Sequence, residues 1–279
     1  MSFASVKSTR LWYEIVGSGE PMVLIGGSGL GRQNMDAVIP LLKEHYSLLN
    51  FDQRGYGESD RTGLDGMRIE AWADEVVELM DAIGWKRAHI HGTSFGGMVA
   101  LAVAVRHPER CLSVIPNAFF AKPDGARKLM LEVWSDYAGA AGMNRGFAAH
   151  IATLSLHPDY LDAHPEAADD LLRMLSLVSV DTWRAAVDAM FHLDLSGDLR
   201  GCQVPALIIA GEIDTITPVD MSPSGIGQRK AAEMLPNGEI AIFEGIGHAT
   251  VLEVPERHAN AIVAFTRRVT NVISVPDRT

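Results

Sequence analysis

Ala88-His89-Ile90-His91-Gly92-Thr93-Ser94-Phe95-Gly96-Gly97-Met98-Val99-Ala100-Leu101 is the stretch that decides how this chain reads. An apolar-alternating run leads into Gly92-Thr93-Ser94-Phe95-Gly96, and an Ala/Val/Leu-rich helical pattern follows at once. The spacing is G-x-S-x-G on a strand-to-helix turn. A turn this sharp forces Ser94 into strained backbone angles, and positions 92 and 96 must lack Cβ for strand and helix to pass. The Ser94 hydroxyl then stands clear at a helix N-terminus, where backbone N–H groups stabilise an anion. The pattern alone is weak, since roughly one random chain in seven of this composition would carry it. The competing reading is a Gly-rich turn whose serine merely caps the helix. Context decides between them.

The chain of 279 residues is long enough to bury a substantial core, as one large α/β domain or one domain with an insertion. A hydrophobic fraction of 47% and a charged fraction of 21% are those of a soluble globular protein. Thirty-five acidic against 24 basic residues give −11, so neither nucleic acid nor an anionic membrane is expected as a partner. Cys111 and Cys202 form no metal spacing and no disulfide framework, which suits a reducing compartment and a packing role. The segment Met1 to Arg10 is polar, and no apolar run reaches membrane-spanning length. A cytoplasmic location is the expectation.

Outward from the elbow, strands and helices alternate. Leu11–Val16 reads as an early antiparallel strand, and Met22-Val23-Leu24-Ile25 as a short strand buried on both faces. Gly26-Gly27-Ser28-Gly29-Leu30-Gly31 follows, then a helical pattern through Met35, Val38, Ile39, Leu41 and Leu42. Ser47–Asp52 is the next strand, Ile69–Ile83 an amphipathic helix, and Cys111–Pro116 another buried run. From about Lys122 to Leu199 the pattern is helical with no convincing strand. The alternation resumes with Val204–Ala210, a helix near Gln228–Leu235, the strand Glu239–Phe243 and a last helix through about Val269. The tail Thr270–Thr279 is expected to fray. The rhythm predicts a mostly parallel sheet covered on both faces. We expect a core domain of 1–121 and 199–279 and a helical cap of 122–198, inserted through loops at Pro123-Asp124-Gly125 and Ser196-Gly197-Asp198.

A serine hydroxyl is a poor nucleophile until a base takes its proton, and the base must be oriented. His248 in Gly245-Ile246-Gly247-His248-Ala249 is the candidate base, in the loop after the last strand. Asp214, just past the strand ending at Ala210, is the candidate orienting carboxylate, with Glu212 and Asp220 as nearby rivals. Both lie beyond the C-terminal ends of parallel strands, on the edge of the sheet that carries the elbow. The position after the preceding strand reads Ile115-Pro116-Asn117, and Asn117 cannot supply a charge. Two oxyanion donors are expected, the backbone N–H groups of Phe95 and of Ser28 in the glycine loop. That loop also imitates a dinucleotide-binding fingerprint with Asp52 downstream, but the third glycine of G-x-G-x-x-G falls on Arg32, which obstructs close helix packing.

With these pieces in place the chain resembles the α/β-hydrolase superfamily over nearly its whole length. The likeness rests on Gly26-Gly27-Ser28-Gly29, Asp52-Gln53-Arg54-Gly55-Tyr56-Gly57-Glu58-Ser59, the elbow, Gly211–Pro218 and Gly247-His248, in the order Ser…Asp…His. The segment 52–59 is similar to the superfamily's D-x-R-G-x-G-x-S loop, with Asp52 and Arg54 expected to pin the chain near the elbow. Many relatives carry His-Gly where this chain has Gly26-Gly27, so a supporting hydrogen bond there is absent or replaced. Gly-Ser-Gly-x-Gly at 27–31 is similar to the meta-cleavage C–C hydrolases, which usually place Trp where Ala249 stands. Asp52-Gln53-Arg54-Gly55 resembles proline iminopeptidases, without their Gly-Gly-Pro-Gly loop. Serine at 94, not Asp, separates the chain from haloalkane dehalogenases and epoxide hydrolases. The sum looks most like small bacterial esterases and enol-lactonases.

The resemblance implies a serine hydrolase acting on a small carboxylic ester or lactone through Ser94, His248 and Asp214, with no metal or organic cofactor. An apolar pocket is expected from Leu30, Phe95, Phe119, Phe120, Trp134, Trp183, Met190 and Phe191, although residues at helical spacing in the cap also serve as its core. The alternatives are C–C bond hydrolysis of a vinylogous diketone by the same triad, an aminopeptidase of proline iminopeptidase type, and a non-catalytic ligand receptor.

Overall fold

The computed structural model describes residues 2–7 and 9–273. Eight strands form one sheet: β1 (Ser2–Val6), β2 (Thr9–Gly17), β3 (Glu20–Ile25), β4 (Tyr46–Phe51), β5 (Ala88–Thr93), β6 (Cys111–Asn117), β7 (Ala206–Gly211) and β8 (Gly238–Phe243). Their spatial order is β1-β2-β4-β3-β5-β6-β7-β8. Only β2 runs against its neighbours, and β4 through β8 are parallel. The elbow strand β5 therefore lies mid-sheet, between β3 and β6.

The helices are α1 (Ile39–Leu42), α2 (Ile69–Ala82), α3 (Phe95–Arg106), α4 (Gly125–Ala141), α5 (Arg145–Ser155), α6 (Pro158–Ala163), α7 (Ala167–Leu175), α8 (Val180–Phe191), α9 (Gln228–Met234), α10 (Thr250–Glu253) and α11 (Pro255–Ile273). Alternate residues of the parallel strands enter opposite cores, as the two-residue strand period requires. Val23, Ile25, Leu49, Ile90 and Ile208 pack on the side of α2 and α3. Met22, Leu24, Leu48, Ile115, Leu207 and Ile209 pack on the side of α1 and α11. Met22 through Ile25 are wholly buried, the mark of a strand covered on both faces.

Five helices, α4 to α8, stand between β6 and β7, and no strand lies among the described residues there. Asp124 caps the first of them, accepting from the Arg127 N–H at 2.8 Å. The backbone of this stretch is tied to the rest of the chain by a bridge between Lys122 and Ile226.

Three local expectations are corrected. The helical pattern from Met35 to Leu42 is broken into a 3-10 turn (Gly31–Met35) and the one-turn α1. Pro40 has no N–H for the turn before it, and its ring would meet the carbonyl four residues back in a continuous helix. The polar segment before Thr9 contributes edge strand β1, of which only Ala4 and Val6 are buried hydrophobics. Of the tail, Thr270 to Ile273 continue α11, with the Thr270 hydroxyl donating to Glu20 at 2.9 Å; residues 274–279 lie outside the described residues. No helix among the described residues is long and apolar enough to cross a membrane.

Candidate functional site

Ser94 joins β5 to α3 with φ 57° and ψ −120°, a conformation that costs a residue with a side chain about 1–3 kcal/mol. The turn closes tightly. A Cβ on Gly96 would lie 2.2 Å from the Ile25 carbonyl oxygen, and one on Gly92 would lie 2.1 Å from that of Gly96. The serine hydroxyl makes no capping hydrogen bond to α3, which removes the reading of Ser94 as a helix cap. Its backbone N–H donates to the Asn117 carbonyl at 2.8 Å. The strain thus holds a side chain that the helix itself does not use.

On the neighbouring loops, Asp214 is fully buried and every oxygen of its carboxylate is engaged. Oδ1 accepts the N–H groups of Ile216 and Thr217, each at 2.9 Å, and Oδ2 accepts the Thr217 hydroxyl at 2.6 Å. The Nδ1 of His248 lies 2.9 Å from the same Oδ2 and 3.2 Å from Thr217 Oγ. A carboxylate accepts only, so Nδ1 carries a proton, and in the neutral imidazole it is Nε2 that holds the lone pair. Burial would push the Asp214 carboxyl up. The adjoining His248 and the Thr217 donors outweigh it and hold the group below the usual carboxylate range.

The rivals are occupied elsewhere. Glu212 accepts the Gly245 N–H at 2.9 Å, and Asp220 pairs with Arg229 at 2.9 Å. Asn117 bridges strands, donating to the Ile209 carbonyl at 2.9 Å and accepting from Thr93 at 3.1 Å. His91, nearest the elbow in sequence, is wholly buried against the Ile115 carbonyl, and burial pushes its pKa down to about 4.

The glycine loop lies against the elbow, since a Cβ on Gly27 would sit 3.5 Å from Ser94 Cβ. Where many relatives carry His-Gly, two amides supply the support. Gln53 Nε2 donates to the Gly26 carbonyl at 3.0 Å, and Asn34 Oδ1 accepts the Gly27 N–H at 3.2 Å. Asp52 is buried against Arg32, whose guanidinium also covers the Trp12 ring at 4.0 Å. The expected role of Arg54 is corrected: it pairs with Glu75 of α2, pinning the 52–59 loop to that helix and not to the elbow.

The family model for the alpha/beta hydrolase fold matches residues 20–253. The chain belongs to the α/β-hydrolase family. It is 31% identical over 247 residues to a protein of Caulobacter sp. (strain K31) named "Putative carbamate hydrolase RutD", covering 86% of this chain and 87% of that one. It is 26% identical to the pimeloyl-[acyl-carrier protein] methyl ester esterase of Klebsiella pneumoniae (strain 342), covering 91% and 97%. The crystal structure of the enol-lactonase from Burkholderia xenovorans LB400 superposes with a TM-score of 0.84 at 24% identity, covering 95% and 100%, a likeness of fold.

In this α/β-hydrolase Ser94 and His248 line one cavity of about 220 Å³, together with Gly27, Ser28 and Thr217. Leu30, Phe120, Trp134, Trp183 and Met190 line it as well. Three expected pocket residues are placed elsewhere. Phe119 is wholly buried in the core, because the positive φ of Ala118 (50°) turns the chain so that only Phe120 faces the cavity. Phe191 follows Met190 on α8, a third of a turn away, and its ring lies under Lys128 Nζ at 4.9 Å. Phe95 packs its ring edge-on against Trp72 with centroids 5.1 Å apart.

The five-helix segment grips the His248 loop directly. The Ser155 carbonyl at the end of α5 accepts from the backbone N–H groups of His248 at 2.8 Å and Ala249 at 3.1 Å. Glu253 spans the same seam, accepting the Gly247 N–H at 3.1 Å and the His157 N–H at 3.0 Å. A Cβ on Gly247 would meet the Ser155 oxygen at 2.6 Å, which accounts for glycine before the histidine. Thr217, Gln53, Asn34 and Glu253 were not foreseen. Only Thr217 left a signal, the spacing Asp-x-x-Thr of a side chain that accepts the backbone N–H groups following it.

Proposed function

We propose that this hydrolase cleaves a small carboxylic ester or lactone through Ser94, His248 and Asp214, by way of an acyl-enzyme. His248 Nε2 takes the Ser94 proton as Oγ attacks the carbonyl carbon. The N–H groups of Ser28 and Phe95 receive the oxyanion, each donor contributing about 3 kcal/mol to transition-state stabilisation. Collapse breaks the bond to the leaving oxygen, which receives the proton from His248. Water then attacks the acyl-enzyme with His248 again as base, and the acid leaves. Asp214 keeps Nδ1 protonated throughout. Residues 122–198 act as a cap that closes the cavity over the core formed by 1–121 and 199–279, and the chemistry needs no metal or organic cofactor. A small molecule, mainly an apolar ester or lactone, is the partner in this reading.

The observation that carries it is a strained serine with no capping hydrogen bond, sharing a cavity with a histidine whose Nδ1 is held by a buried carboxylate. The test is a hydrolysis screen over p-nitrophenyl esters, aliphatic and aryl lactones, a carbamate and a dienoate, with Ser94→Ala as the blank. Turnover of esters or lactones that vanishes in Ser94→Ala is the expected result. Rapid bleaching of the dienoate with idle esters would instead assign C–C cleavage.

Thr217 belongs to the machinery as a positioning residue. Thr217→Val keeps the shape and removes a hydroxyl bonded to the Asp214 carboxylate. It is expected to lower kcat about tenfold with KM little changed, in line with a lost hydrogen bond to a charged group. Steady-state kinetics on a p-nitrophenyl ester reads this directly.

A further inference from the structure

The charge distribution around the cavity bears on which esters can enter it. Among the described residues no lysine or arginine lines the cavity. Its wall is built from Met98, Met130, Met174, Met190, Trp134 and Trp183, with leucines between them. Thioethers and indoles adapt to varied apolar shapes but give an anion nothing to pair with.

The cap contributes Ser155, Tyr160, His164, Glu166 and Asp170 to the polar lining, and the last three form its solvent-facing part. The side chains of His164, Glu166 and Asp170 are 46%, 55% and 45% exposed. Two of the three are carboxylates. Glu166 lies 3.5 Å from His164 Nδ1, and Asp170 is paired with Arg173, which is 72% exposed and does not line the cavity. The whole chain carries −11, so the field outside the mouth has the same sign.

We infer that the cavity selects a neutral, apolar acyl group and excludes esters whose acyl chain ends in a carboxylate. The inference rests on the reading of Ser94 as the nucleophile. An anionic chain would pass two carboxylates and then lose its hydration in a wall without a cation, whereas a neutral chain of equal length meets neither barrier. The same arrangement favours departure of the acid product once water has released it.

Three p-nitrophenyl esters of matched length separate charge from size: the hexanoate, the adipate monoanion and the methyl ester of that adipate. The expected kcat/KM for the monoanion is lower than for both neutral esters by about tenfold or more, the scale set by leaving a buried charge unpaired. Met174→Arg, which adds a guanidinium to the wall, is expected to narrow that gap, read as the ratio of the monoanion's kcat/KM to that of the two neutral esters within the same variant. A monoanion within tenfold of the neutral esters overturns the inference, and an unchanged gap in Met174→Arg counts against it. If none of the three is hydrolysed and Ser94 takes no phosphonate, the serine hydrolase reading itself fails and the inference falls with it. Turnover of all three at comparable rates removes only the inference.

Discussion

Ser94→Gly is expected to unfold at a higher temperature than the parent protein while hydrolysing nothing. The backbone at this position has φ 57° and ψ −120°, which glycine adopts without the penalty a side chain incurs. Relief of that strain is worth about 1–3 kcal/mol. The hydroxyl makes no capping bond to α3, so the substitution removes no bond that holds the helix end. The backbone bond from the Ser94 N–H to the Asn117 carbonyl remains. Loss of a nucleophile that acts as a unit with its base lowers kcat on the order of 10⁶-fold in a serine hydrolase. Thermal unfolding and ester turnover measured on the same preparation read both effects. A variant that is destabilised and inactive would mean that Ser94 holds the elbow together, contrary to its assigned role.

Gly96→Ala is expected to have the opposite profile, losing fold and activity together. The added Cβ would lie 2.2 Å from the Ile25 oxygen and 2.6 Å from that of Gly26, so it strikes the end of β3 and the start of the glycine loop. Both obstacles are backbone and cannot rotate away. Overpacking of this kind costs about 1–3 kcal/mol where neighbours can yield, and more where they cannot. Urea unfolding monitored by fluorescence gives the loss. Gly125→Ala is the control: its Cβ would meet nothing within 4 Å, and stability is expected to hold or rise by about 0.5 kcal/mol. Equal stability of the two variants would contradict the close approach of α3 to β3.

What could be read from residues alone follows the reach of the forces involved. The continuous runs of β3 and β7 announce burial on both faces, and the G-x-S-x-G turn after β5 announces its own geometry because strand, turn and helix are contiguous. β1 was hidden because an edge strand buries few residues, here Ala4 and Val6. The break before α1 was legible in principle from Pro40, but the apolar spacing of Met35, Val38 and Leu42 masks it. At the site, the His248 and Asp214 loops carry local glycine and turn signals. Gln53, Asn34 and Glu253 carry none, because their partners are backbone groups 27, 7, 6 and 96 positions away whose orientation exists only after folding. Phe119 and Phe191 failed as pocket residues for a related reason. One residue of offset on a turn or helix redirects an aromatic ring entirely.

The most direct test is covalent capture of the serine by an alkyl p-nitrophenyl phosphonate, with the adduct mapped by peptide mass spectrometry in the parent protein and in His248→Ala. One p-nitrophenolate released per chain, an adduct on Ser94, and labelling slowed at least about 10²-fold without the imidazole are expected, because an unassisted hydroxyl is a poor nucleophile. An adduct on another residue, or Ser94 labelled equally fast in His248→Ala, would contradict the convergence of these two side chains on one reaction.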